Sequence, residues 1–113
     1  MKGIGIDIVE FSRIKQIHQR TKFVDRILSE KEKKVYTTLT HEQRRLEYLA
    51  GRFAVKEALY KAAPHLCKHK RFNEFSILND ASGAPYLADP EVAGIMITLS
   101  HSEHYVVAFV AVV

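Results

Sequence analysis

The sequence predicts an α+β fold in which an antiparallel sheet packs against one long helix. In residues 2–9, isoleucine alternates with glycine or aspartate, which is typical of a strand. Residues 41–63 repeat their apolar positions with the period of a helix, and Pro64 ends that pattern. Strand patterns follow from residue 74 onward. A strand, then helices, then a run of strands is the order of an α+β protein.

Shorter helices are predicted between the first strand and the long helix. A helix around residues 12–20 has Ser12 as its expected N-cap. Ile14 and Ile17 would face inward on that helix. Two capping boxes, each with a hydroxyl residue followed three positions later by Glu or Gln, predict the starts of a short helix and of the long one. They are Ser29 with Glu32, and Thr40 with Gln43.

The last third of the chain predicts a series of antiparallel strands. Residues 74–79 and 84–88 flank the turn D-A-S-G, in which Gly83 can adopt a positive φ. Residues 95–100 and 105–113 predict two more strands joined by a short polar loop. Because the last segment is almost entirely apolar, we expect it to be a central, covered strand.

Length and composition favour one globular domain over residues 1–113. The chain is 47% hydrophobic and 27% charged, which argues against disorder. It shows no signal-peptide pattern, and no apolar run reaches the roughly 18 residues that a spanning helix needs. Its one cysteine, Cys67, excludes an internal disulfide and fits a reducing compartment. We therefore expect a cytoplasmic protein without a membrane partner.

The net charge of +4 and a pI of about 9.3 favour an acidic partner or a phosphorylated ligand. Basic residues concentrate in two clusters, before residue 27 and after the long helix. The clusters contain Arg13, Lys15, Arg20, Lys22 and Arg26, and then Lys68, Lys70 and Arg71. Solvated surface positions are the simpler interpretation of any one of these charges.

Within the long helix, Glu57 occupies a position where a core residue is expected. At about 100° per residue with Phe53 at zero, Glu57 falls at about 40°, inside an apolar stripe. The stripe consists of Leu46, Leu49, Ala50, Phe53 and Tyr60. A carboxylate that faces a packed interior is costly unless it is paired or bound to a cation. Glu57 is therefore predicted to have a partner.

The first strand offers a second carboxylate, Asp7. One face of this strand carries Ile4, Ile6 and Ile8, and the other carries Gly3, Gly5 and Asp7. Glycine in a strand lets a ligand or another backbone approach closely, although an Asp7 that simply faces water is an alternative. Asp7 and Glu57 together would suit a hard cation such as magnesium, which takes one or two protein carboxylates besides waters and substrate phosphates.

Three cations accompany Glu57 on the helix, namely Arg52, Lys56 and Lys61. Glu57 and Lys61 are four residues apart, so a routine surface pair worth roughly a few tenths of a kcal/mol is one interpretation. A metal pair ringed by cations that binds a diphosphate is the other. The sequence has no Walker-type glycine loop, which excludes a P-loop. His101 lies in a loop between two predicted strands, where functional residues are often displayed.

Three segments resemble one known family. They are G-I-G-I-D-I-V-E at 3–10, L-A-G-R-F-A-V-K-E-A-L-Y-K-A at 49–62 and L-S-H-S-E-H-Y at 99–105. In this order and spacing the chain resembles the holo-acyl-carrier-protein synthases, which are small 4′-phosphopantetheinyl transferases. The resemblance implies the 4′-phosphopantetheinyl transferase fold and transfer of phosphopantetheine from coenzyme A to a serine of an apo acyl carrier protein. Release of adenosine 3′,5′-bisphosphate and a role in fatty acid biosynthesis are also implied.

The resemblance further implies residue roles. Asp7 and Glu57 match magnesium ligands and, with Lys61, the catalytic residues; Lys61 would stabilise the leaving phosphate. The positions that match the coenzyme A site are Arg52, Lys56, Lys61, Gly83, Pro85 and His101. In the family, the turn containing Gly83 and Pro85 approaches the coenzyme from a neighbouring subunit of a trimer. The positions that match the surface facing the acidic carrier are Arg13, Ile17 and Arg20.

Two functions from other classes remain as alternatives. A nucleic-acid-binding module would explain the basic pI, but the basic residues lack interleaved aromatic side chains and no recognised motif is present. An interaction protein without catalysis would explain the basic residues near the N-terminus, but it gives no reason for Glu57. We therefore expect no nucleic-acid partner.

Overall fold

The computed structural model describes residues 2–113 and has the predicted α+β architecture. In chain order the elements are β1 (Gly3–Glu10), α1 (Phe11–Lys15), α2 (Arg20–Ile27), α3 (Glu30–Thr38), α4 (Glu42–Ala62), α5 (Pro64–Cys67), a 3-10 turn (Phe72–Glu74), β2 (Ser76–Asn79), β3 (Pro85–Asp89), β4 (Ile95–His101) and β5 (Tyr105–Val112). Within this part of the chain no helix is both long and apolar enough to cross a membrane.

The strands form two antiparallel sheets rather than one. β5 lies between β1 and β4 in a three-stranded sheet, and β2 pairs with β3 in a separate hairpin. The central position predicted for the last strand is thus confirmed. The predicted antiparallel strands are divided between these two sheets, and the segment 90–94 separates β3 from β4. That segment begins with Pro90, which cannot donate to a strand ladder, and ends with Gly94 at φ +84°.

The helix predicted over 12–20 is wrong. Two helices occupy this region, since α1 ends at Lys15 and α2 begins at Arg20. Ser12 is not the N-cap of α1, because the helix begins one residue earlier at Phe11, whose side chain is buried. The backbone N–H of Phe11 donates to the carbonyl oxygen of His104 at 2.9 Å, so contacts with a distant segment rather than a local capping bond accompany the end of β1.

One of the two predicted capping boxes is present. At the start of α3, Ser29 Oγ accepts from the backbone N–H of Glu32 at 3.2 Å, and Glu32 Oε1 accepts from the backbone N–H of Ser29 at 2.9 Å. The box predicted from Thr40 and Gln43 is wrong. α4 begins one residue too late for it, with His41 as the N-cap and no side-chain capping bond.

Gly3 and Gly5 let α4 pack directly on β1. A Cβ at Gly5 would lie 2.0 Å from the carbonyl oxygen of Ala58, and one at Gly3 would lie 2.0 Å from that of Ala62. Of the two roles proposed for these glycines, the structure shows the close approach of another backbone. Asp7, the next residue on the same face of β1, is thereby brought to the side of α4.

The core lies between α4 and the covered face of the three-stranded sheet. Residues without exposed area include Leu49, Ala54, Val55, Ala58 and Leu59 of α4, and Ala108 and Val110 of β5. The opposite face of the sheet is apolar and open, with Ile4, Ile6, Ile8 and Met96 each more than half exposed and Phe109 at 36%. We call these five residues the apolar sheet face.

Candidate active site

The structure divides the residues predicted for catalysis and coenzyme binding into two groups and leaves one of them, Lys56, outside both. Asp7, Glu57 and Lys61 lie where the last turns of α4 meet β1. The second group lines a cleft between α4, the β2–β3 hairpin and the end of β4. Its members are Arg52, Gly83, Pro85 and His101.

In the first group, β1 and α4 meet through Lys61. Its Nζ donates to the carbonyl oxygen of Ile6 at 2.9 Å and lies 3.5 Å from Oδ1 of Asp7. The Asp7 side chain is 18% exposed, whereas that of Lys61 is 54% exposed. Two contacts with β1 therefore hold the ammonium in place, while the exposed part of the side chain stays accessible to a ligand.

Glu57 lies one helical turn before Lys61 but does not pair with it. Its side chain is half-buried, so the prediction that it occupies a core position is wrong. In residues 2–113 no hydrogen bond or ion pair engages its carboxylate, because Lys61 is bonded to Ile6 and Asp7 instead. The routine surface pair is thus absent, and Glu57 is available to a cation.

The two carboxylates fit a magnesium ion in their chemistry. Asp7 and Glu57 offer hard oxygen donors from adjacent elements, and the described chain holds no cluster of three or more metal-ligating side chains. A cation here would have two protein ligands and would complete its shell with water and substrate oxygens. Magnesium is commonly bound in this way.

The second group lines a cleft of about 570 Å³. Arg44, Tyr48 and Arg52 contribute from α4, Asn79 and Pro85 from the hairpin. Phe11, Leu99 and Val106 add apolar side chains to the lining. Basic groups together with apolar ones suit a ligand that has both a phosphate and an apolar or aromatic part.

Three contacts fix the guanidinium of Arg52 in the wall of this cleft. Nε donates to the carbonyl oxygen of Ile77 at 3.1 Å, and Nη2 donates to Oδ1 of Asn79 at 3.0 Å. The guanidinium also lies over the ring of Tyr48, with 4.3 Å between Cζ and the ring centroid. Arg52 thus presents a fixed charge rather than a mobile one.

The turn of the hairpin has the conformation that its sequence predicts. Gly83 has φ +89°, which favours glycine, and it is exposed. Asp80 Oδ1 accepts from the backbone N–H groups of Ser82 at 2.9 Å and Ala84 at 3.0 Å. The hydrogen bond from the Ser82 hydroxyl, together with these backbone bonds, lowers the pKa of Asp80. The turn is therefore held by its own side chains.

Lys56 lies in neither group, in contrast to the sequence-based expectation that it contacts coenzyme A. It has no exposed area. Its Nζ donates to the carbonyl oxygen of Ile27 at 2.6 Å and to Oε1 of Glu32 at 2.5 Å. Burial lowers the pKa of Lys56, while the carboxylate of Glu32 opposes that shift. The sequence predicts only the capping role of Glu32, whereas in the structure its carboxylate both closes the capping box and accepts from Lys56.

The residues predicted to face an acidic carrier lie on α1, α2 and the segment between them. Arg13 is exposed on α1, and Ile17 is half-buried after that helix. Arg20 begins α2, where its Nη1 lies 3.0 Å from Oε1 of Glu42. Arg13 makes no ion pair with any residue that the structure describes, so its charge is free to meet a partner.

Residues 3–110 match the 4′-phosphopantetheinyl transferase superfamily, so the chain belongs to that superfamily and is a transferase enzyme. Two relatives that match most of this chain are both holo-[acyl-carrier-protein] synthases. The holo-[acyl-carrier-protein] synthase of Acholeplasma laidlawii (strain PG-8A) is 46% identical over 110 residues, covering 96% of this chain and 92% of the relative. That of Staphylococcus aureus (strain JH9) is 45% identical over 105 residues, covering 91% and 87%.

Solved structures agree with this assignment. The holo-(acyl-carrier-protein) synthase of Bacillus anthracis str. Ames, in complex with CoA (3′,5′-ADP), matches with a TM-score of 0.77 and 36% identity, over 96% of this chain and 93% of that one. The Helicobacter pylori synthase, in complex with coenzyme A, matches with a TM-score of 0.79 and 27% identity, over 97% and 99%.

Proposed function

We propose that the protein transfers 4′-phosphopantetheine from coenzyme A to a serine of an apo acyl carrier protein and releases adenosine 3′,5′-bisphosphate. One observation carries this proposal: among residues 2–113 Glu57 has no protein partner, and it lies one helical turn from Lys61, whose ammonium contacts Asp7, in a chain of this superfamily. The two solved relatives in complex with coenzyme A support the choice of donor.

Asp7 and Glu57 would hold a magnesium ion. When bound, the ion would supply positive charge to the diphosphate as its P–O bond breaks. The two carboxylates, Asp7 on β1 and Glu57 on α4, would fix the position of the ion. This arrangement depends on the close packing of the two backbones at Gly5 and Ala58.

Lys61 would stabilise the leaving group. Its ammonium is anchored by the carbonyl oxygen of Ile6 and by Asp7, so it is already placed before substrate arrives. A fixed cation where negative charge develops stabilises a transition state without reorganisation. Lys61 can also donate a proton to the departing phosphate oxygen.

Glu57 is the candidate to accept the proton of the carrier serine. The serine oxygen attacks phosphorus, the bond from that phosphorus to the leaving phosphate oxygen breaks, and the serine proton passes to a carboxylate or a water. Glu57 suits this step because no protein donor occupies its oxygens in the described residues.

Arg52, Gly83, Pro85 and His101 would bind coenzyme A in the cleft. The first group of site residues does not line this cleft. We propose that the protein is a trimer in which the cleft of one subunit faces Asp7, Glu57 and Lys61 of the next. The apolar sheet face supports this, since a contiguous exposed apolar surface is typical of an interface.

Arg13, Ile17 and Arg20 would contact the acidic carrier. Complementary charge of this kind speeds association in a salt-dependent way. The proposed reaction supplies the carrier used in fatty acid biosynthesis, and we propose a cytoplasmic location for it.

The decisive experiment is mass spectrometry of an apo acyl carrier protein incubated with this protein, coenzyme A and magnesium. We expect a mass gain of one phosphopantetheine that disappears when the metal is chelated. An unmodified carrier would contradict the proposed reaction. Salt-sensitive retention on DNA under the same conditions would then favour the nucleic-acid-binding alternative.

A further inference from the structure

The buried side chains of Glu32 and Lys56 form the centre of a polar network that joins α3, α4 and β2. Oε1 of Glu32 accepts from Lys56 and from the backbone N–H of Ser29, and its Oε2 accepts from the backbone N–H of Ile77 at 2.7 Å. Lys56 also donates to the carbonyl oxygen of Ile27 at the end of α2. Neither charged side chain has any exposed area. No ligand can therefore contact them in this arrangement.

In β2, both backbone polar groups of Ile77 form hydrogen bonds with charged side chains. The N–H of Ile77 donates to Glu32, and its carbonyl oxygen accepts from Arg52. Arg52 and Lys56 are four residues apart, so they lie on one side of α4. Strand β2 is thus attached to α4 both directly, through Arg52, and indirectly, through Glu32 and Lys56.

These contacts decide where the β2–β3 hairpin lies. The hairpin shares no strand ladder with the β1–β5–β4 sheet in residues 2–113. Its exposed ion pair, Lys31 with Asp89 at 2.6 Å, contributes little because both side chains are about half exposed. Its other polar attachments to the helices are the buried bonds at Ile77, the bond from Arg52 to Asn79, and the bond from the Ser76 hydroxyl to that of Ser29 at 2.6 Å.

The position of the hairpin sets the shape of the coenzyme cleft. The cleft is lined by Asn79, Gly83 and Pro85 from the hairpin and by Tyr48 and Arg52 from α4, and the two sets of residues meet where Arg52 donates to Asn79. Because Ile77 lies two residues before Asn79 on the same strand, a shift of Ile77 moves the hairpin side of the cleft. The shape of the cleft therefore depends on the bonds of Ile77.

We propose that Glu32 and Lys56 are positioning residues, which hold the hairpin against α4 and so set the affinity for coenzyme A without touching it. This inference rests on the proposed function. A buried ion pair contributes little net stability, because desolvation of both charges offsets their attraction. The fixed geometry that it gives to β2 is the contribution that remains.

The test compares Glu32→Gln with Glu30→Gln. Glutamine keeps the size of Glu32 but replaces one acceptor oxygen with an NH2 donor. It therefore cannot accept hydrogen bonds from Lys56, Ser29 and Ile77 together. Glu30 lies on the same turn of α3 with its side chain 87% exposed, which makes it a matched control. For Glu32→Gln we expect the KM for coenzyme A to rise roughly tenfold, with kcat and the KM for the carrier changed by about twofold or less. Glu30→Gln should change none of them.

A second readout does not depend on activity. Without substrates, amide hydrogen exchange at Ile77 and Asn79 should be faster in Glu32→Gln than in the wild type or in Glu30→Gln. If Glu32→Gln does not fold alone, the double variant Glu32→Gln with Lys56→Met removes both charges and leaves no unpaired ion. It should show the same rise in KM and the same faster exchange.

Three results would overturn the inference. The first is a folded Glu32→Gln or double variant in which the KM for coenzyme A and the amide hydrogen exchange are unchanged. A Lys56→Met variant that raises the KM while Glu32→Gln does not would mean that Lys56 binds coenzyme A itself. A fall in kcat and a rise in both KM values by similar factors, in proportion to the change in Tm, would indicate a merely structural role. If the wild type transfers nothing, the proposed function fails instead, and the hydrogen exchange still tests the attachment of the hairpin.

Discussion

Gly5 of β1 and Ala58 of α4 pack backbone against backbone. A Cβ at Gly5 would lie 2.0 Å from the Ala58 carbonyl oxygen and 2.9 Å from its carbonyl carbon. Neither of these atoms belongs to a side chain that can rotate away. The contact lies two residues before Asp7 and one residue after Glu57, so it also fixes the relative positions of the two candidate metal ligands.

Gly5→Ala should therefore lower the free energy of unfolding by roughly 1–3 kcal/mol, as overpacking of a rigid contact does. Denaturant unfolding measures this. Gly51→Ala is the matched control, because the nearest atom to its new Cβ is Leu99 Cδ1 at 4.0 Å. In a helix that change should stabilise by up to about 1 kcal/mol. Equal effects of the two substitutions would contradict the packing argument.

Asp7→Ala and Glu57→Ala should each lower the transfer rate by roughly a hundredfold or more, because each removes one of the two proposed magnesium ligands. Both side chains reach solvent, so Tm should change little. Turnover with coenzyme A and apo carrier, measured over a range of magnesium concentrations, checks this. Glu91→Ala removes an exposed carboxylate elsewhere and should have no effect. Near-normal turnover in either site variant is incompatible with a metal role for that residue.

Arg13→Glu should raise the KM for the carrier roughly tenfold at low ionic strength while the KM for coenzyme A stays constant. The reason is that Arg13 is exposed on α1 and would repel an acidic partner after the charge reversal. Lys34→Glu makes the same change of charge at an exposed position of α3 and is the control. The difference between the two variants should shrink as salt is added. An unchanged carrier KM in Arg13→Glu would exclude this docking surface.

Ile6→Glu should convert the proposed trimer to monomers, because it places a charge in the middle of the apolar sheet face. Ile6 is 56% exposed in the single subunit. Tyr86→Glu alters another exposed apolar side chain, on β3, and should leave the assembly unchanged. Light scattering coupled to size-exclusion chromatography measures the mass. A wild type that is monomeric at all concentrations, or an Ile6→Glu variant that is still trimeric, would refute the interface.

Cys67 should react slowly and should not be needed for transfer. Burial raises the pKa of its thiol to about 11, so the folded state favours the protonated form. At pH 8 its thiolate fraction should be roughly a hundredfold below that of a free thiol with pKa near 8.5 to 9. Stability should be unaffected by this group below the unfolded pKa and should fall as pH rises from about 9 towards 11.

Urea unfolding at pH 8, 9 and 10, compared between the wild type and Cys67→Ala, measures that dependence. The variant should lose stability less steeply with pH, although its stability at pH 8 is lower because a buried side chain is truncated. Fast alkylation of the native protein, or loss of transfer in Cys67→Ala, would show that the thiol is exposed or functional.

Local patterns predicted the elements whose limits are set locally. The long helix, the Ser29–Glu32 capping box and the turn at Gly83 follow from periodicity and from side-chain bonds within a few residues. The break between α1 and α2 does not, because residues 16–19 contain no proline or glycine that would end a helix.

The burial of α4 explains why Lys56 was misplaced. A helical projection separates an inner face from an outer one, but α4 is covered on several sides, by the sheet and by α1, α2 and α3. Lys56 therefore lies inside although it falls outside the apolar stripe, and Glu57 is only half-buried although it falls within it. The partner of Lys56 lies 24 residues away in sequence, which no local pattern indicates.

The separation of the β2–β3 hairpin from the three-stranded sheet has a consequence for the divergence of this protein. Insertions or substitutions in the turn around Gly83 leave every ladder bond of the β1–β5–β4 sheet in place. Natural variation can thus reshape one wall of the cleft while the folding core is inherited unchanged. Homologues with different donor preferences should differ first in this hairpin and last in β5.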